Sequence, residues 1–184
     1  VLFRSRTTPL SILGGRGVFV RGVEEALLLG TADIAVHSLK DVPTEAVPGL
    51  TLGAMLERAD PRDAFVGGQG RRLAELPPGA RVGTSSQRRR ALLRALRPDV
   101  EIVELRGNVD TRLRKVADGE VDGALLAAAG LSRLGRFAEA TQVFDAMEFL
   151  PAPGQGVIAV ECREDDAATL ALLAHFDDAR TRAA

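Results

Sequence analysis

The chain has 184 residues, with 24 Lys and Arg against 25 Asp and Glu, 46% hydrophobic and 4% aromatic residues, one Cys and neither Trp nor Tyr. At about 100–200 residues per domain this is one medium domain or two small lobes with enough chain for a real core, and the apolar and charged balance excludes disorder and fibrous repeats. A single Cys rules out an internal disulfide framework and a cysteine-cluster metal site and suits a reducing, cytoplasmic setting, and no apolar run approaches the ~20 residues that span a bilayer.

No charged-then-apolar leader opens the chain. Residue 1 is not Met, and Val1 to Ser5 reads like a translated sequencing adapter, so these five residues are taken as foreign and the native amino terminus as missing. Gly14, Gly15 and Gly17 surround Arg16 in a flexible loop, and Arg16 and Arg21 are candidates for an anion-binding surface. Residues 19–29 carry apolar side chains at helical spacing and stop at Gly30. Residues 33–36 (DIAV) read as a buried strand opening into the polar loop HSLKD. Residues 50–56 and 64–66 read as further strands, separated by the turn-prone stretch 57–63 (ERADPRD). Asp60, Arg62 and Asp63 are expected to form a salt-bridge cluster there.

A short strand at 81–83 then meets Thr84, Ser85 and Ser86, hydroxyl caps for a helix of about a dozen residues that Pro98 stops. Residues 100–105 alternate like a strand, 106–108 turn, and 109–117 are helical up to Gly119. Residues 122–127 give another strand, 143–150 a weaker one, 151–156 (PAPGQG) a linker, 157–162 a last strand and 165–176 a last helix. Alternating β and α elements with apolar strands predict an α/β protein with mostly parallel sheets covered on both faces. We expect two doubly wound lobes with a cleft between them, the chain crossing twice. Lobe 1 would comprise 6–58 and 157–184, lobe 2 would comprise 62–150, and the hinges would fall near 57–61 and 151–156.

Net charge is −1, yet residues 81–115 hold ten basic residues against four acids. Base composition accounts for most surface arginines, so position must single out functional ones. Thr84, Ser85 and Ser86 with Arg88 and Arg89 are either an ordinary N-cap with a solvated basic face or an anion site, because a helix start offers free N–H groups and arginines add bidentate forks. Arg106, Gly107 and Asn108, with Arg112 one turn on, repeat the device at the next strand end, which suggests a ligand with several negative groups. Lys40 and Asp41 are a surface charge pair or a proton-handling pair at a strand end. His37 reads as a strand-end hydrogen bonder, and neither it nor His175 has metal-ligand spacing, so no metal is expected. Cys162 reads as a core residue. No GxxxxGK[ST] string and no GxGxxG after a strand exists.

Taken together HSLKDVP (37–43), DPRDAF (60–65), GTSSQRR (83–89), LRGNVDTRL (105–113), AAAGLSRLG (127–135) and PAPGQG (151–156) closely resemble the porphobilinogen deaminase (hydroxymethylbilane synthase) family in order and spacing, from about Thr8 to the chain end. The resemblance implies a cytoplasmic, monomeric transferase of tetrapyrrole and haem biosynthesis with a periplasmic-binding-protein-like fold. It would join four porphobilinogen molecules, with loss of ammonia, into hydroxymethylbilane on a covalent dipyrromethane primer. By that resemblance Asp41 is the catalytic carboxylate, stabilising the cationic azafulvene formed as ammonia leaves. Lys40, Ser86, Arg88, Arg89, Arg106 and Arg112 would hold primer and substrate carboxylates, with Thr84, Ser85, Gly107, Asn108 and Gln155 in support. The family commonly has Lys where Arg16 and Arg21 stand. Its primer is anchored on a Cys of a third, carboxyl-terminal domain, so Cys162 is not the anchor, and the 184 residues alone are expected to be inactive. The competing expectations are a two-lobed binding module for a multiply anionic small molecule, and a nucleic-acid binder. The second is disfavoured by the lack of Trp and Tyr for base stacking and by the near-zero net charge.

Overall fold

The computed structural model describes residues 20–183. In chain order the helices are α1 (Arg21–Leu28), α2 (Gln87–Leu96), α3 (Val109–Ala117), α4 (Ala128–Arg133), α5 (Ala167–Leu173) and α6 (Ala179–Ala183). The strands are β1 (Ile34–Ser38), β2 (Leu50–Met55), β3 (Asp63–Gly67), β4 (Arg81–Gly83), β5 (Glu101–Val103), β6 (Gly123–Ala127), β7 (Gln142–Val143) and β8 (Ile158–Arg163). Contacts divide the chain into two units, one made of the chain up to Arg58 together with Val157 onward, the other of Ala59–Gly156. Among the described residues no helix is long and apolar enough to cross a membrane.

Among the described residues the first unit carries a three-stranded sheet, order β1-β8-β2, in which β8 is antiparallel to both neighbours. Leu27, Ala35 and Leu50 form a small core under α1 on one face, while Ala54, Val160, Cys162 and Leu173 form another under α5 on the opposite face. Gly53 sits where the β2–β8 register shifts, and a Cβ there would lie 2.6 Å from Leu173 Cδ1, so glycine lets α5 seat against the strand. The segment after α5 returns to β2. Asp177 Oδ1 accepts from Met55 N (2.7 Å), Asp178 N donates to Met55 O (2.8 Å), and Arg182 Nη2 donates to Leu52 O (3.2 Å). Thr181 Oγ1 accepts from Arg58 N at 3.0 Å.

The second unit carries a five-stranded mixed sheet, order β5-β4-β6-β3-β7. β4 is parallel to β5 and β6, whereas β3 is antiparallel to β6 and β7. The period of two in β3 separates the cores. Phe65 joins Val82, Leu93, Leu125 and the stacked Phe144–Phe149 pair (4.5 Å) under α2, while Ala64 and Val66 join Leu113, Val116 and Leu126 under α3. Gly123 makes room for the Phe65 ring, whose Cζ would stand 2.2 Å from a Cβ.

Three expectations need correction. The sheets are not mostly parallel: the described sheet of the first unit is antiparallel and that of the second is mixed. Apolar strands report coverage on both faces, not the direction of the neighbour. The strand expected at 143–150 is only Gln142–Val143, because Asp145 Oδ1 accepts from Met147 N and turns the chain so that Phe144 and Phe149 both enter the core. Helix α4 and the short α6 carry no amphipathic period strong enough to announce them, and the final helix expected at 165–176 is shorter, ending at Leu173, with α6 lying beyond it.

Candidate active site

In the second unit, β4 and β5 lie side by side and parallel, and each runs into a helix start. The close approach depends on Gly83, where a Cβ would sit 2.6 Å from Leu105 Cδ2. Thr84 is buried, its N–H donates to Val103 O (3.0 Å), and its Oγ1 accepts from Ser86 N (3.2 Å). Ser85 Oγ donates to Leu105 O at 2.7 Å, which ties the two strand ends together. Ser86 Oγ caps α2 by accepting from Arg89 N (3.4 Å), and its own proton remains to donate. Gly107 holds φ +114, a conformation that suits glycine, and Asn108 Oδ1 caps α3 by accepting from Thr111 N (2.9 Å). The hydroxyl and amide groups of both loops therefore shape two adjacent helix starts.

The arginines divide by environment. Arg106 Nε donates to Glu104 Oε1 (2.7 Å) and Arg90 to Thr84 O (3.3 Å). Arg112 Nε donates to Gly107 O (2.9 Å); burial, and next the charge of Arg89, push its guanidinium below the usual arginine range. Arg89 is 5% exposed, with Nε and Nη2 at 3.0 and 2.6 Å from Asp63 Oδ1 and Nη1 at 3.0 Å from Leu125 O. Arg88 is half-buried, with Nη1 at 2.6 Å from Asp63 Oδ2 and 2.5 Å from Leu150 O. Its Nε is buried with no acceptor. Gln155 Nε2 donates to Asp63 Oδ1 (2.9 Å) and to Pro61 O (2.6 Å).

Asp63 is thus not part of an exposed salt-bridge cluster, which corrects that expectation. Asp60 and Arg62 do pair with each other at 2.7 Å, but Asp63 points inward and is fully buried. Burial raises its carboxyl pKa, yet the Arg89 charge, the Arg88 guanidinium in ion-pair contact and the hydrogen bonds from Arg89 and Gln155 outweigh that and leave it below the usual carboxylate range. Sequence reasoning missed this residue, although a signal existed. A carboxylate opening a wholly apolar strand (DAFVG) needs a buried cationic partner. One carboxylate serves Arg88 and Arg89 while Arg112 adds a third guanidinium, so the cluster holds an excess of positive charge. A cavity of about 460 Å³ lies elsewhere in this unit, at the carboxyl end of β3 and the amino end of β6, lined in part by residues 67–71, and holds none of the predicted site residues.

In the first unit, β1 ends in a single 3-10 turn, Leu39–Asp41, closed by Val42 N to Leu39 O (3.1 Å) and tied to the residue just before β8 by Leu39 N to Val157 O (3.0 Å). Lys40 and Asp41 are both exposed on this turn. On β1 His37 Nε2 lies 3.0 Å from Glu161 Oε2 of β8, both side chains buried, so His37 is a strand-end hydrogen bonder. Cys162 is a core residue, its thiol pushed up by burial and then by Asp166. Arg21 opens α1, and Arg16 lies outside the described residues. Among the described residues no group of three or more His, Cys, Asp or Glu could hold a metal ion.

Two α/β units traversed by a chain that leaves the first and returns to it define the periplasmic-binding-protein-like class. Solved structures agree on the fold: the methionine-binding protein MetQ (TM-score 0.57, 17% identity, covering 87% of this chain and 76% of that one) and a periplasmic substrate-binding protein of a Coxiella burnetii ABC transporter (0.54, 16%, 86% and 77%) are similar to it. The family model described as porphobilinogen deaminase, dipyromethane cofactor binding domain, matches residues 4–171. Curated porphobilinogen deaminases from Roseiflexus sp. (54% identity, 96% of this chain, 58% of the relative) and Xanthomonas euvesicatoria (56%, 95% and 57%) are similar along nearly the whole chain. The chain belongs to the porphobilinogen deaminase family. It spans 57–58% of the length of these relatives.

Proposed function

We propose that the protein acts as a porphobilinogen deaminase in the cytoplasm, as a monomer, condensing four porphobilinogen molecules head to tail into hydroxymethylbilane with loss of one ammonia per addition. The observation that carries this reading is the guanidinium excess of Arg88, Arg89 and Arg112 at the adjoining ends of β4 and β5. Every pyrrole of the substrate bears an acetate and a propionate, and planar guanidinium forks match carboxylates bidentately. The same excess fits a dipyrromethane, whose own acetates and propionates would be held by Lys40, Ser86, Arg88, Arg89, Arg106 and Arg112. When bound, that group supplies the pyrrole end from which the product grows. Thr84, Ser85, Gly107, Asn108 and Gln155 act indirectly, by shaping the loops and bracing the arginines.

Asp41 is the catalytic carboxylate in this reading. As the aminomethyl C–N bond breaks and ammonia leaves, positive charge spreads over the pyrrole, and an ionised carboxylate beside the ring nitrogen stabilises charge that exists only during the reaction. After the new carbon–carbon bond forms, the proton lost from the attacking carbon must be carried away, and Asp41 is the acceptor. Arg16 and Arg21 contribute further positive charge to substrate binding. The test is to express the full-length gene that encodes this chain and incubate the product with porphobilinogen. Uroporphyrin absorbance should appear after acid oxidation and vanish in Asp41→Ala; an Asp41→Ala enzyme of undiminished rate overturns the assignment.

A further inference from the structure

We propose that Asp63 is a positioning residue of the arginine site: its buried carboxylate holds Arg88 on one oxygen and Arg89 on the other, and so aims both guanidinium groups before any ligand arrives. The inference rests on the reading of unit 2 as a carboxylate-binding site and adds a residue to it. Asp63 is the first residue of β3, whose Ala64, Phe65 and Val66 pack into the two cores, so its backbone cannot shift without disturbing Phe65 and Ala64. Its oxygens face different arginines: Oδ2 lies 2.6 Å from Arg88 Nη1, and Oδ1 lies 2.6 and 3.0 Å from Arg89 Nη2 and Nε. Gln155 adds a third donor to Oδ1 at 2.9 Å and is itself pinned to Pro61 O at 2.6 Å, which fixes the carboxylate plane. Backbone carbonyls complete the hold, Leu150 O on Arg88 and Leu125 O on Arg89. Long arginine side chains otherwise lose rotamer freedom when they grip a ligand; here that freedom is already gone, which strengthens binding.

The proposal makes a prediction opposite in sign to plain electrostatics. Replacing a carboxylate beside guanidinium groups with a neutral amide raises the local positive charge, and by Coulomb's law should tighten anion binding. If Asp63 acts by aiming the arginines, Asp63→Asn weakens it instead, by about tenfold, as expected for misplaced binding groups. Calorimetric titration of the 184-residue chain with mellitate (benzenehexacarboxylate) at low ionic strength compares the two proteins, with far-UV circular dichroism and a cooperative unfolding curve as the check on folding. Equal or tighter binding by folded Asp63→Asn overturns the proposal.

A wild-type measurement decides the matter should the variant not fold. The Nη–H groups of Arg88 and the Nε–H of Arg89, followed by ¹⁵N NMR without ligand, should be dispersed and exchange with water far more slowly than the corresponding groups of exposed Arg94. Exchange as fast as Arg94 means the arginines are not held, and overturns the proposal. Failure of the wild-type chain to bind mellitate while those groups remain protected counts against unit 2 as a carboxylate site, but not against the role of Asp63 in ordering it.

Discussion

In the Ala59–Gly156 unit the charges that matter are inside the fold; in the other unit they stand outside it. Arg89 and Asp63 are buried among Phe65, Leu93 and Leu125, so the geometry of the arginine site is part of the same packing that makes the unit stable. Lys40 and Asp41 occupy a three-residue turn with both side chains exposed, and the buried polar pair beneath them, His37 with Glu161, belongs to the sheet. The contrast suits a division of labour. In the proposed reading, groups that recognise several fixed carboxylates gain from rigidity, whereas a carboxylate that meets transient charge on successive substrates needs access.

The strongest way to break the comparison is to empty the buried site. Asp63→Ala leaves two guanidinium groups without their carboxylate and should destabilise the Ala59–Gly156 unit by about 3–5 kcal/mol in urea unfolding. The pH dependence has a definite sign. The folded pKa of Asp63 lies below its unfolded value, so the stabilisation is complete above about pH 4 and is lost as pH falls through the lowered value. Asp63→Ala should flatten that acid limb; an unchanged limb would place the acid sensitivity elsewhere. A smaller effect is expected at the helix starts. Asn108→Ala removes the acceptor for Thr111 N and should cost about 1 kcal/mol, and Ser86→Ala a similar amount, by the same measurement. The smallest effect is expected at Asp41. Asp41→Ala should change stability by no more than about 0.5 kcal/mol because the side chain is exposed, even as it removes activity from the full-length enzyme. A large loss of stability at Asp41 would erase the distinction between the units.

Much of this could be seen in the order of residues, and the failures have physical causes. Helix α2 and its cap were visible because hydroxyl residues directly precede an amphipathic run, and β4, β5 and α3 because turn residues separate their periods. Asp63 as the partner of Arg88 and Arg89 was not visible, since the contact spans about 25 residues of sequence and depends on β3 lying beside β6. Strand direction was misread in both units because apolar content says nothing about it. Helix α4, an Ala- and Gly-rich hexamer, gave no period to read. Of the expected HSLKD loop only Leu39–Asp41 lie past the strand end, His37 and Ser38 being part of β1, and the sequence alone gave no reason to expect the His37–Glu161 pair, whose members are 124 residues apart.

The grip of residues 177–182 on β2 has a consequence beyond local stability. Among the described residues, in the order β1-β8-β2, that strand is the margin of its sheet, and Met55 N, Met55 O, Leu52 O and Gly53 O are the groups a foreign strand would seek there. The Asp177 carboxylate takes Met55 N, the Asp178 backbone N–H takes Met55 O, and the Arg182 guanidinium takes Leu52 O and Gly53 O. Residues 177–182 thus cover backbone groups of the kind that, left open on a sheet edge, let two copies zip together into an aggregate.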